Sequence, residues 1–185
     1  MQKRAFLIHG WGGYPEEGWR PWLGEELMKH GIQAVAPAMP DTNTPQMDAW
    51  TEHLSSIVGE PDEETYFLGH SLGSIAILRY LETLKENRKV GGVVLIAGFT
   101  DDLGIPELSN FFEKPIAWEK LKEVCSKFIS IESDNDPYNL EPYNVVFKEK
   151  LDAETILEHN KMHFSGDDGV TELPVALASI LKLAS

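Results

Sequence analysis

The sequence predicts a single α/β domain over residues 1–185, a mostly parallel sheet of about six strands with helices on both faces. Three observations carry that expectation. A chain of 185 residues has the length of one domain. Short apolar runs alternate with longer amphipathic stretches from end to end, as a parallel sheet requires when each crossover is made by a helix. The short runs are rich in β-branched and aromatic residues, as strands buried on both faces are.

In chain order, Ala5 to Ile8 is the first strand. Trp19 to His30 follows as a helix, with Trp22, Leu23, Leu27 and Met28 at helical spacing and Gly31 as its stop. Gln33 to Ala36 is the second strand. Pro45 to Val58 is a helix that turns Met47, Trp50, Leu54 and Ile57 inward and ends before Gly59. Thr65 to Leu68 is the third strand, and the helix Ser71 to Lys85 puts Ile75, Leu78 and Leu81 on one side. Val90 to Ala97, Phe128 to Ile131 and Thr155 to Glu158 complete the sheet, and Thr171 to Leu183 is the closing helix. Residues 99–115 show no clear period and contain Asp101-Asp102, Gly104, Pro106 and Phe111-Phe112. They follow the C-terminal end of a strand, where open α/β sheets carry their sites, so this stretch is a candidate small lid.

Composition narrows the function. Sixteen Lys and Arg against 30 Asp and Glu leave a net charge of −14, which repels a nucleic-acid backbone or an anionic membrane surface. No run approaches the ~18 apolar residues of a membrane span. The single cysteine, Cys125, permits neither an internal disulfide nor a cysteine zinc site, so a reducing, cytoplasmic location is expected.

The chemistry concentrates at strand ends. Gly69-His70-Ser71-Leu72-Gly73 is a Gly-x-Ser-x-Gly run between a predicted strand and a predicted helix, where a nucleophilic serine on a sharp turn needs small residues two before and two after it. A serine hydroxyl needs a base, and the base an orienting carboxylate. After the fifth strand, Asp134 and Asp136 compete for the second role. Asp136 is favoured because Pro137 disfavours a helical conformation for it. After the sixth strand, His163 is favoured over His159 because it lies in the loop, from which it can reach over the sheet. The oxyanion of acyl transfer needs two backbone donors, assigned to the amides of Leu72 and Trp11, the latter in the glycine-rich exit His9-Gly10-Trp11-Gly12-Gly13. That exit has Pro15 where a dinucleotide fingerprint has its third glycine, and no metal-ligand spacing occurs, so no cofactor or metal is assigned. Phe111, Phe112, Trp118 and Phe164 fall near the lid or strand exits and are candidate walls of a substrate pocket.

With these residues in view, the chain resembles the YdeN-like family of small α/β-hydrolases, which has a retinoblastoma-binding serine hydrolase among its members. The resemblance runs through Gly18-Trp19-Arg20-Pro21-Trp22, Met39-Pro40-Asp41, Gly69-His70-Ser71, Thr100-Asp101-Asp102-Leu103-Gly104, Trp118-Glu119-Lys120, Asp136-Pro137 and His163-Phe164. It implies a compact α/β-hydrolase fold and a carboxylesterase-like serine hydrolase with Ser71, Asp136 and His163 as nucleophile, acid and base. The Leu-x-Cys-x-Glu peptide of the retinoblastoma-binding member is absent; Ile57-Val58-Gly59-Glu60-Pro61-Asp62-Glu63 stands before the third strand. That partner is therefore not expected, and a small acyl substrate is. The alternative is a hydrolase fold kept as a binding or protein-interaction module without turnover. A chain of this size has room for only a small lid, which favours short acyl chains.

The two aspartates are separable by mutation. Asp136→Asn is expected to lower kcat on the order of ten-thousand-fold, as when a catalytic histidine loses its orienting anion, and Asp134→Asn by less than about tenfold. Steady-state kinetics of the two variants on one ester check this, and the reverse ranking moves the acid to Asp134.

Overall fold

The computed structural model describes residues 2–185. Strands β1 (Arg4–Ile8), β2 (Gln33–Val35), β3 (Thr65–His70), β4 (Gly92–Ile96), β5 (Phe128–Ser133) and β6 (Glu154–Glu158) form one sheet in the order β2-β1-β3-β4-β5-β6. Every neighbouring pair is parallel. All residues of β3, β4 and β5 are buried; β4 is accordingly apolar throughout and β3 nearly so, whereas β5 alternates Ile129 and Ile131 with Ser130 and Glu132 and buries both sets. Helices α1 (Arg20–Lys29) and α6 (Pro174–Leu183) pack together, while α2 (Met47–Val58), α3 (Leu72–Glu82), α4 (Trp118–Val124) and α5 (Tyr143–Leu151) touch in succession, so the two sets cover the two faces. Within the core, Phe6 stacks on Phe67, whose ring meets Tyr80 of α3. No helix among the described residues is long and apolar enough to cross a membrane.

The expected strands and the four expected helices are present with small shifts of their ends, and α4 and α5 are additional. Neither has a clean apolar stripe in sequence. The seven residues of α4 bury only Leu121 and Val124, and α5 buries the polar Asn144 beside Phe147 and Leu151. Only contact with α3, in the case of α4, and with β5 and β6, in the case of α5, together with contact between the two helices, makes their inner faces visible.

Residues 99–115 are tied down along their length. They contain a 3-10 turn, Pro106–Phe111. The buried Arg79 of α3 donates to the carbonyls of Phe111 (2.8 Å), Lys114 (2.6 Å) and Pro115 (3.3 Å). Asn110 accepts from the Met47 amide at 2.7 Å and donates to the Pro45 carbonyl at 3.0 Å, joining the turn to the start of α2. At the other end Asp101 and Asp102 accept from the amides of Leu103 and Gly104, and the Tyr143 hydroxyl donates to Asp101 at 2.6 Å.

Because the chain runs from β1 outward to β2 and then returns to place β3 on the other side of β1, the strand order reverses between β1 and β3. A crevice opens at the carboxyl ends of strands flanking such a reversal. Gly10-Trp11 and Ser71 lie at those two ends.

Glu132 in β5 is fully buried, and one carboxyl oxygen accepts from the Gly98 amide at 3.0 Å while the other has no partner among the described residues. Burial holds its carboxyl well above the ordinary range against the opposing effect of the Gly98 bond, and the nearby Asp136 adds to the rise. The folded state therefore keeps a proton that the unfolded chain releases above about pH 4.3. Stability from this group is complete below that pH and is lost as pH rises toward the folded-state value, by at most about 1.4 kcal/mol per unit. Glu132→Gln keeps the acceptor and removes the titration, so its stability relative to wild type is expected to climb between pH 5 and 8 in urea unfolding. Parallel pH profiles would show that Glu132 is ionised in the fold.

Candidate active site

The site is built on the turn from β3 into α3. Ser71 has φ 55° and ψ −125°, a conformation that costs a residue with a side chain about 1–3 kcal/mol. Two glycines make room for it. A Cβ on Gly69 would stand 2.5 Å from the Ser74 backbone, and one on Gly73 only 2.4 Å from the Ile8 carbonyl oxygen. The turn is held by the Ser71 amide on the Ile96 carbonyl (2.8 Å), the Ser74 amide on the Ser71 carbonyl (2.9 Å) and the Ser74 hydroxyl on the Gly69 carbonyl (2.9 Å). The exit of β1 lies against it, since a Cβ on Gly10 would come within 2.9 Å of the Ser71 Cβ.

Two later strand exits complete the arrangement. The Ser71 hydroxyl is 3.0 Å from Nε2 of His163, positioned to donate to it, and Nδ1 of His163 lies 2.8 Å from Oδ2 of Asp136. The Asp136 side chain is fully buried and that of His163 partly buried, so the carboxylate is kept from solvent while the imidazole faces the recesses. Asp136 also accepts from the Tyr138 amide at 2.8 Å, which fixes the carboxylate plane. The other aspartate and the other histidine pair with each other: Asp134 Oδ2 lies 2.5 Å from Nδ1 of His159 on the exposed surface. Hydrogen bonds from the Asn160 amide and His159 hold the Asp134 carboxyl below its ordinary range, and Asp134 raises His159 in turn. The structure thus brings Ser71, Asp136 and His163 together and leaves Asp134 and His159 outside.

Residues without obvious sequence signals hold this geometry. His70 is buried; its Nε2–H donates to the His163 carbonyl at 2.7 Å and its ring meets the edge of Trp19. Burial, with His163 and Arg20 nearby, holds its imidazole well below the ordinary value, so it stays neutral and adds no charge beside His163. Asp168 accepts from the amides of His163 and Ser165, each at 3.0 Å, and from the Ser165 hydroxyl at 2.7 Å. At the β1 exit, buried His9 bonds through Nδ1 to the Gly10 carbonyl (2.9 Å), while its Nε2 accepts from the Met39 amide (3.0 Å). The Gly13 amide donates to the same Gly10 carbonyl at 3.1 Å. That carbonyl shares its peptide plane with the Trp11 amide, so both bonds fix where the amide points. Burial lowers the His9 imidazole below its ordinary value, which keeps Nε2 able to accept. The nearest sequence hint was the density of Ser, Gly and Asp in Ser165-Gly166-Asp167-Asp168-Gly169, a turn composition.

Ser71 faces two recesses. One, of about 310 Å³, is polar and is lined by Gly12, Tyr14, Glu17, Ser165 and Asp167. The other, of about 80 Å³, is lined by Phe99, Leu103, Ile105 and Leu108. Trp11, Tyr138 and His163 border both. The four aromatics expected as pocket walls are elsewhere. Phe111 is fully buried against the edge of Trp50, where a core contact takes its whole ring. Phe112, half-buried, packs against Phe99 and the core, and Trp118, also half-buried, starts α4 against the core; neither lines a recess. Phe164 is fully buried, and its carbonyl accepts from the Trp19 indole at 2.8 Å. Apolar rings near strand exits were drawn into the core because the hydrophobic interior competes for them. Among the described residues no group of three His, Cys, Asp or Glu is placed to hold a metal ion.

Comparison with known proteins gives a family model described as serine hydrolase, which matches residues 5–182. The chain is 31% identical over 176 residues to the hydrolase YdeN of Bacillus subtilis, covering 95% of this chain and 93% of that one. It is 31% identical over 170 residues to the serine hydrolase RBBP9 of Rattus norvegicus, covering 89% of each. The crystal structure of the B. subtilis ydeN product superposes with a TM-score of 0.93 at 30% identity over 98% of both chains. Est1E of Butyrivibrio proteoclasticus shares the fold at a TM-score of 0.72 and 12% identity, over 99% of this chain and 87% of that one. The sheet and its helices are thus those of an α/β-hydrolase.

Asp168 is the acceptor for three donors of the loop that carries His163. Asp168→Ala leaves three donors without their acceptor and is expected to speed amide hydrogen exchange at His163 and Ser165 and to lower stability by about 1–3 kcal/mol. Exchange measured by NMR checks this, and unchanged protection at both amides would show that the loop is held by other contacts.

Proposed function

The chain belongs to the serine hydrolase family, and from that premise we propose that it cleaves a small ester, thioester or amide through an acyl-enzyme on Ser71. The observation that carries this reading is the continuous relay from the Ser71 hydroxyl to Nε2 of His163 at 3.0 Å and from Nδ1 of His163 to Asp136 at 2.8 Å. Ser71 Oγ attacks the acyl carbonyl carbon as its proton passes to Nε2 of His163. Asp136 keeps the Nδ1–H tautomer and stabilises the imidazolium. The tetrahedral oxyanion is held by the amides of Trp11 and Leu72, neither of which donates to a backbone acceptor in the loop and cap bonds of the described residues. Collapse expels the leaving group, which takes the proton from His163. Water then attacks the acyl carbon with His163 as base, and Ser71 regains its proton as the carboxylic acid departs.

A binding module without turnover needs neither a serine in a costly turn nor a histidine aimed at its hydroxyl, and that weighs against the alternative. The partner in this reading is a small acyl compound; the net charge of −14 argues against nucleic acid, and the missing Leu-x-Cys-x-Glu peptide argues against a retinoblastoma-type partner. A cytoplasmic setting suits the one buried thiol, Cys125.

A fluorophosphonate probe phosphonylates an activated serine. Labelling is expected for wild type and abolished in Ser71→Ala, as read by mass spectrometry of the intact protein. Equal labelling of both would remove the nucleophile assignment.

A further inference from the structure

The two recesses beside Ser71 differ in size and chemistry, and the difference assigns them. Taking the acyl-enzyme reading above as the premise, we propose that the small apolar recess is the acyl pocket, that Leu103 and Ile105 set its depth, and that the substrates are short-chain acyl esters of a polar alcohol.

The size argument is direct. A cavity of about 150 Å³ takes a benzene ring, so a recess of about 80 Å³ is too small to enclose an aromatic acyl group. With water's share of liquid volume at about 30 Å³, the recess has room for about three heavy atoms beyond the carbonyl, which corresponds to acetyl through butyryl. Its walls are fixed. Phe99 and Leu108 are buried, and the half-buried Leu103 and Ile105 stand on a loop held by the Asp101 and Asp102 turns and by the Tyr143 hydroxyl. The Ile105 amide also donates to the Asp102 carbonyl at 2.8 Å. A wall pinned in this way does not retreat to admit a longer chain.

The opposite side suits the leaving group. The departing oxygen must meet the proton on Nε2 of His163, and the alcohol that carries it then leaves into a polar recess of about 310 Å³ edged by the Tyr14, Glu17, Ser165 and Asp167 side chains. Glu17 is already engaged by Arg20 and by the Gly166 amide, so this recess presents hydrogen-bonding groups in set positions. An apolar acyl group there would strip water from these groups and return no hydrogen bonds.

The experiment is a p-nitrophenyl ester series from acetyl to octanoyl, with benzoyl included, on wild type, Ile105→Ala and Leu103→Gly. Leu103 has φ 54°, which glycine adopts freely, so the second variant removes the side chain without straining the turn. Wild-type kcat/KM is expected to peak between acetyl and butyryl and to fall at least about tenfold by hexanoyl, since one methylene too many for a hydrophobic pocket costs about that much. Benzoyl falls with it. In either variant the hexanoyl-to-acetyl ratio is expected to rise about tenfold or more. A peak at hexanoyl or beyond, efficient benzoyl cleavage, or an unchanged ratio in both variants overturns the acyl assignment. A parallel set of acetyl esters of different alcohols identifies the other error: variants that change alcohol preference and not acyl preference would put the leaving group in the apolar recess. Ser71-dependent turnover with a flat chain-length profile removes this proposal alone, whereas no turnover together with an unlabelled Ser71 removes the hydrolase mechanism beneath it.

Discussion

Everything at the site follows from how closely α3 approaches the first strand. Gly73 lies where a methyl group would overlap the Ile8 carbonyl oxygen, and Gly69 where one would overlap the backbone of Ser74. With those two side chains absent, the chain reverses from strand to helix in a few residues and leaves Ser71 at φ 55°. Within the turn the positive φ of a residue with a side chain falls on Ser71 alone and is offset by hydrogen bonds from Ser71 to β4 and from Ser74 back to the turn. A looser turn would carry the hydroxyl away from the β1 exit and from His163 together.

The sheet then determines what reaches that hydroxyl. β1 and β3 are neighbours, so the glycine-rich exit of one faces Ser71 at the end of the other. β5 and β6 are neighbours at the far side, and their exit loops bring Asp136 and His163 within one hydrogen bond of each other. Beside this line the protein keeps two buried imidazoles neutral. His9 and His70 are held by burial in the state that lets each serve as a fixed donor or acceptor to backbone. Their work is orientation: His9 sets the peptide that bears the Trp11 amide, and His70 holds the carbonyl of His163. Glu132, beneath the β4 and β5 exits, does the same for Gly98 while keeping its proton.

The stretch 99–115 is tied to its neighbours at both ends. Arg79 gathers three of its carbonyls, Asn110 ties it to α2, and Tyr143 ties it to α5. Those contacts settle which apolar side chains face Ser71. They are Phe99, Leu103, Ile105 and Leu108, while Phe111 and Phe112 of the same stretch turn to the core.

The sequence by itself determined the features that depend on local spacing. Buried strands of four to eight β-branched and aromatic residues, helices with an apolar face and a glycine stop, and two glycines about a serine are each legible without a partner, because each is a rule about neighbours along the chain. The choice of Asp136 over Asp134 and of His163 over His159 also rested on local grounds, a following proline and a distance from the strand end, and the fold brings the same pair to Ser71. Tertiary structure decided what depends on residues far apart. The strand order put β1 beside β3; contacts with α3 and α5 made a helix of 118–124 and contacts with β5 and β6 one of 143–151; and packing against the core took Phe111, Phe112, Trp118 and Phe164 out of the recess linings. Hydrophobicity says that a ring will be buried but not against what, since the effect has no direction. Only the packed chain supplies one.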